Sequence, residues 1–180
     1  MSEIRTERLV LRRARMDDLD DMHAVLSHPL AMRWWSTPPH ADVEQTRVWL
    51  QSMVESPREL SEDFVVEHQG RVVGKVGAWR LPGFGYILHP DLWGKGLATE
   101  ALAAFLDAAF ARPDVPRLEA DVDPRNGASL RLLEKLGFVE TGRATGTWTV
   151  GEELCDSVYL ALTAPAWAAR RRVAADALNP

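Results

Sequence analysis

The stretch YILHPDLWGKGLATEAL at residues 86–102 decides how the chain reads. A short apolar strand, GYILH at 85–89, runs into Pro90 and then a turn carrying Gly94 and Gly96. A helix follows at once, with Leu97, Ala101, Leu102, Phe105, Leu106 and Ala109 in one apolar stripe. Glycines let a backbone bend close to a ligand, and the first N–H groups of a helix are unpaired and partly positive, so the turn reads as an anion cradle. It reads equally as a tight strand-to-helix connection in which glycine serves geometry alone. Two familiar phosphate motifs fit poorly. Lys95 is followed by Gly96 with no upstream glycine at P-loop spacing, and Thr99 stands where a dinucleotide fingerprint needs its third glycine.

Outward from this segment the periodicity alternates between two and three to four residues. RLVLRR at 8–13 is a strand, and Asp17 is expected to cap a helix carrying Leu19, Met22, Val25 and Leu26, which Pro29 ends. RWWSTPPH at 33–40 is a loop. Asp42 with Gln45 approximates a capping box ahead of a second helix with Val43, Thr46, Trp49, Leu50 and Met53 on one face. DFVVEH and RVVGKVGAWR form a hairpin about Gln69-Gly70, with Gly74 and Gly77 marking bulges or a close backbone approach. RLEADVD at 117–123 alternates as a strand with Glu119, Asp121 and Asp123 on one face, and 126–138 is a short helix stopped by Gly137. Strands at about 138–149 and 154–162 close the order β-α-α-β-β-β-α-β-α-β-β. This predicts a mixed α/β fold: a twisted, mostly antiparallel sheet of about seven strands with helices on both faces. Residues 1–180 read as one domain, with 163–180 a tail that frays as a helix.

Composition narrows the class. The chain has 180 residues, 46% hydrophobic and 26% charged, and its 26 acidic against 21 basic residues give a net charge of −5. That argues against a nucleic-acid or anionic-membrane binder, which needs a basic face. No apolar run is long enough to span a bilayer, and MSEIRTERLV lacks the apolar region of a signal peptide. The single Cys155 permits no internal disulfide and reads as a small core residue, consistent with a cytoplasmic protein. The five histidines show no ligand spacing, so no metal is expected.

Trp93-Gly94-Lys95-Gly96-Leu97-Ala98 resembles the acetyl-CoA loop of the GNAT superfamily of N-acetyltransferases, Gln/Arg-x-x-Gly-x-Gly/Ala, with Trp in the first place. TERLVLR at 6–12, GYIL at 85–88 and the N-x-x-S…EKLGF pattern at 126–138 are similar to a bacterial branch that includes the ribosomal-protein N-terminal acetyltransferases. The resemblance spans about residues 5–162. It implies a GNAT-like fold with acetyl-CoA as co-substrate. The pyrophosphate would rest on backbone N–H groups of Trp93, Gly94, Lys95, Gly96, Leu97, Ala98 and Thr99. The pantetheine arm would lie along the strand ending in Leu88 and His89, with Asn126 contacting it as well as capping its helix.

The implied reaction moves an acetyl group to a primary amine by direct attack through a tetrahedral intermediate. Many members carry a tyrosine acid where this chain has Leu133; the branch resemblance offers Ser129 instead, as a hydrogen bond to the leaving sulfur. Branch relatives often place a base where Gly83 stands, leaving Glu67, Asp121, Asp123 and His89 as candidates, or a water chain. Trp34 and Trp35, one packed inward and one facing the cleft, are expected to line the substrate pocket with Tyr86, and His40 and Trp79 are further wall candidates. A small-molecule amine is slightly favoured. The alternatives are a protein N-terminus, a non-catalytic acyl-CoA-binding module, and an interaction protein built on the tryptophans. Pairing of the C-terminal strands about a two-fold axis is a route to a homodimer.

Overall fold

The computed structural model describes residues 3–57 and 59–176. Its strands are β1 (Glu3–Arg5), β2 (Leu9–Arg12), β3 (Glu62–His68), β4 (Arg71–Arg80), β5 (Gly83–Leu88), β6 (Arg117–Val122), β7 (Val139–Val150) and β8 (Glu153–Thr163). They form one sheet in the order β1-β2-β3-β4-β5-β6-β8-β7, in which only the β5–β6 pair is parallel. The helices are α1 (Leu19–Leu26), α2 (Pro29–Met32), α3 (Val43–Val54), α4 (Leu97–Phe110), α5 (Gly127–Leu136) and α6 (Ala164–Asp176).

Two apolar layers sandwich the sheet. On one face, Leu97, Leu102, Phe105 and Leu106 of α4 and Leu133 and Leu136 of α5 pack on Leu11, Phe64, Val76 and Leu118. On the other, Met22 and Leu26 of α1, Met32 of α2 and Leu50 and Met53 of α3 pack on Val65, Val72 and Ile87. The two-residue strand period therefore serves two cores at once. Gly74 and Gly77 allow neighbouring strands to close up: a Cβ at Gly74 would lie 2.0 Å from the Ile87 carbonyl oxygen, and one at Gly77 would lie 2.3 Å from that of Glu62. The Gln69-Gly70 turn has positive φ at both residues, 52° and 77°, as a tight hairpin requires.

Several expectations change. The sheet has eight strands among the described residues because β1, only three residues long, adds to β2. Asp17 is not the cap of α1; a 3-10 turn over Met16–Asp18 intervenes, and the carboxylate of Asp18 accepts from the Arg15 N–H and the Arg12 guanidinium. Pro29 opens α2 rather than ending α1, fitting a residue whose fixed φ suits a first helical turn. Gln45 accepts from Ala41 N–H instead of completing the box on Asp42. Cys155 is half-buried, 3.5 Å from an Arg125 nitrogen, and not a core residue. The tail is an ordered helix as far as Asp176; the last residues, 177–180, lie outside the described part. Trp167 of α6 enters the α4/α5 core at 5% exposure, and its indole N–H donates to Asp107 at 2.8 Å. Trp167→Ala is therefore expected to lower stability by about 3–5 kcal/mol in urea unfolding; a loss near zero would mean that α6 contributes nothing to the core.

Candidate active site

The parallel pair β5–β6 is held at a single register position, Gly83 opposite Glu119. Beyond it the strands part, and two cavities meet in the gap. The smaller, about 390 Å³, lies between the end of β5, the first turn of α4 and α5. The larger, about 790 Å³, extends over β4, β5 and β6 towards β7 and β8. Trp34, Trp35, Tyr86, Asn126 and Ser129 line both.

The glycine turn borders the smaller cavity. Gly94 and Gly96 have φ of 73° and 76°, conformations that L side chains adopt only with strain. The first bond of α4 runs from Glu100 N–H to the Gly96 carbonyl at 3.1 Å, so the amides of Leu97, Ala98 and Thr99 lie ahead of the helical ladder. Leu88, Trp93, Gly94, Gly96, Leu97, Ala98, Thr99 and Asn126 line this space. Lys95 and His89 do not. Lys95 contributes its carbonyl to Arg8, and His89 faces a separate hollow beside Val72 and Val73. The Trp93 indole N–H donates to the Leu88 carbonyl at 2.9 Å, folding the turn back onto the strand.

Arg8 and Glu100 fasten this turn to the first hairpin, a contact invisible in the local sequence. The Arg8 guanidinium donates to the Lys95 carbonyl at 2.8 Å and to the Glu100 carboxylate at 2.7 Å, and Thr6 donates to the same carboxylate at 2.5 Å. Burial pushes the Glu100 carboxyl up, but the hydrogen bonds from Thr6 and Arg8 outweigh it and hold the group below its ordinary value.

At the meeting of the cavities, the Tyr86 and Ser129 hydroxyls lie 2.7 Å apart. Burial raises the Tyr86 phenol above its ordinary value, against the lowering effect of the Ser129 hydrogen bond, so the phenol stays protonated. Asn126 caps α5 by accepting from Ser129 N–H at 3.2 Å, leaving its amide NH₂ as a donor. Leu133 is fully buried beside this pair and offers no proton.

The larger cavity carries Glu119 and Asp121 of β6 and Asp123 just past its end, as the alternation predicts. Asp123 is ion-paired with Arg125 at 2.6 Å, which holds its carboxyl below the usual range. Asp121 accepts from the Trp148 indole N–H at 2.6 Å. Glu67 is bound to Arg12 at 2.9 Å, and neither Glu67 nor His89 borders either cavity. Trp34 and Trp35 are both half-buried and both line the two cavities; Trp35 also packs against the α1–α3 core, as the division between core and cleft predicts, while Arg33 and Arg125 lie against the Trp34 ring at 4.7 and 5.0 Å. Trp79 lines the larger cavity. His40 lines neither: it is buried, with its Nδ1 2.8 Å from the Thr46 hydroxyl that also contacts His23. Burial, and then His23, pushes its pKa down.

A depressed carboxyl stabilises the fold above its unfolded value and loses that effect as pH falls through the folded one. Arg8→Ala should raise the Glu100 pKa, so acid unfolding of the variant should begin at a higher pH than in the parent. Circular dichroism across an acid titration reads this directly, and coincident curves would show that the link carries no stability.

Comparison with known proteins completes the picture. An acetyltransferase (GNAT) domain model matches residues 8–139. The chain is 30% identical over 151 residues to an uncharacterised N-acetyltransferase, p20, of Bacillus licheniformis, covering 79% of this chain and 85% of that protein. It is also 30% identical over 139 residues to the spermidine N(1)-acetyltransferase of Escherichia coli, covering 73% of each. The ribosomal-protein alpha-N-acetyltransferase RimL, solved with coenzyme A, superposes with a TM-score of 0.80 at 20% identity, over 90% of this chain and 98% of that one. No helix among the described residues is long and apolar enough to cross a membrane. The glycine turn ahead of α4, the parted strands and the family match together place this chain in the GNAT family of acetyltransferases.

Proposed function

We propose that the chain, as one domain, acetylates the primary amine of a small molecule with acetyl-CoA as donor. The observation that carries this reading is the meeting of two cavities at the Tyr86–Ser129 pair, one lined by the helix-start amides and the other by carboxylates and indoles. The residues of the smaller cavity fit a phosphorylated, extended donor. The amides of Leu97, Ala98 and Thr99 would take the pyrophosphate, and Asn126 would offer its amide to the pantetheine arm. Acetyl-CoA supplies an acetyl group already activated as a thioester.

The chain's own work is then modest. Asp121 takes a proton from the incoming ammonium, leaving a neutral amine. Ser129, backed by the Tyr86 phenol, holds a hydrogen bond where the thiolate departs, and the nitrogen's second proton ends on sulfur. A small acceptor is favoured because Trp34 and Trp35 stand at the junction, where an extended peptide would need clear passage.

Acetyl-CoA at ~100 times its dissociation constant should stabilise the protein by about 2.7 kcal/mol in thermal unfolding, with ATP and NAD giving no comparable shift. Ser129→Ala and Tyr86→Phe should each lower kcat by about 10²-fold, the low end for a positioned proton donor, while leaving acetyl-CoA affinity near that of the parent. Asp121→Asn should lose rate on amines that are protonated at the assay pH and recover it on amines of low pKa. Equal loss on both would remove Asp121 as the proton acceptor.

A further inference from the structure

We infer that the acceptor is a zwitterion: an amine that also carries an anionic group such as a carboxylate, separated from it by an apolar body of about amino-acid size. This rests on the reading of the larger cavity as the acceptor site. Five acidic or basic side chains line that cavity: Lys75, Arg80, Glu119, Asp121 and Asp123. Three of them are already neutralised. Lys75 is paired with Asp63 at 2.7 Å, Glu119 with Arg117 at 2.6 Å and Asp123 with Arg125 at 2.6 Å. Arg80 and Asp121 are left without an opposite charge among the described residues, since the partner of Asp121 is the neutral Trp148 indole. Their signs are opposite, and they stand on opposite sides of β5, Arg80 on β4 and Asp121 on β6.

The floor between them is bare. On this face β5 presents Gly83 and Gly85, and nothing in the backbone requires glycine at either position. Neither has positive φ, and the nearest atom to an added Cβ is 3.6 Å away in both cases, an ordinary contact. Gly83 leaves space between a guanidinium and a carboxylate, and Gly85 makes room for the edge of the Trp35 ring beside it. Adjacent strands lie about 4.8 Å apart, so the two charges hang from strands about 10 Å apart. The walls suit an apolar body: Trp79 is 60% exposed and Trp148 48%, both within the cavity rim, so their indoles have surface left to cover.

The pattern also discriminates. A polyamine satisfies Asp121 but places a second ammonium in the field of Arg80. A simple monoamine leaves Arg80 without a partner. A zwitterion answers both charges, which is specificity through attraction at each end and repulsion of the wrong sign.

The test compares matched acceptors in which an apolar spacer separates amine from carboxylate: 6-aminohexanoate against pentylamine, 4-(aminomethyl)benzoate against benzylamine, and spermidine as a polycation. Turnover is followed by release of the CoA thiol, and binding in the presence of CoA by calorimetry. The amino acids should exceed their decarboxylated counterparts in kcat/KM by at least about tenfold, the discrimination of one charge-assisted hydrogen bond. Arg80→Gln should bring that ratio near one by raising KM for the amino acids, and Arg80→Lys should keep most of the preference. If the plain amines or spermidine perform as well as or better than the amino acids, the zwitterion is excluded while amine acetylation stands. If acetyl-CoA stabilises the protein but no amine of any kind binds or reacts, the acceptor reading of the cavity fails with it.

Discussion

A sheet that stops pairing in its middle creates a problem that the rest of this molecule answers. Beyond Gly83 and Glu119, the facing edges of β5 and β6 turn backbone N–H and C=O groups towards a gap, and buried polar groups without partners are unfavourable. One of them, the Leu88 carbonyl, is met by the Trp93 indole. Because β5 and β6 are parallel, joined through α4, their C-terminal ends point the same way. Each then runs into a helix: β5 through the glycine turn into α4, β6 through Asn126 into α5. Two helix starts, with their unpaired amides, therefore converge on one opening. The single parallel junction in an otherwise antiparallel sheet sets both the place and the polarity of the site.

This arrangement reconciles a net charge of −5 with a phosphorylated donor. Positive potential at the cradle comes from oriented backbone rather than from a basic surface. The carboxylate in the first turn of α4, Glu100, has its charge balanced by Arg8, so that turn does not oppose an anion. The same Arg8 clasps the Lys95 carbonyl and so holds the loop's shape. The N-terminal hairpin, far from the site in sequence, thus belongs to it in space.

Much of the fold was legible because helix and strand periods are local properties. All six residues of the α4 stripe are buried, and Glu119, Asp121 and Asp123 do share one face. What stayed hidden depended on contacts between distant segments. Nothing near Arg8 announces Glu100, and nothing near Ser129 announces Tyr86, 43 residues earlier. The alanine- and arginine-rich tail has almost no amphipathic stripe, so its docking, through Trp167 in the core and through Arg170 and Arg171 to the Lys135 carbonyl and Asp107, is not readable from the sequence. Asp17 reads as the cap of α1, but Asp18 stands at that position, and Arg12 and the Arg15 N–H take its carboxylate so that it makes no side-chain bond to the helix. His40 reads as a wall candidate, yet its bond to Thr46 holds it in the interior.

The side-chain-free stretch of β5 at Gly83 and Gly85 has a consequence for how the cavity can be reshaped. A methyl group at Gly85 would rest against the Trp35 ring at 3.6 Å and ask nothing of the backbone. On the proposed reading of the larger cavity, acceptor space can thus be subdivided by one small substitution without taxing the core that holds the sheet together. On the proposed reading, the surface that chooses the acceptor is decoupled from the packing that keeps the protein folded.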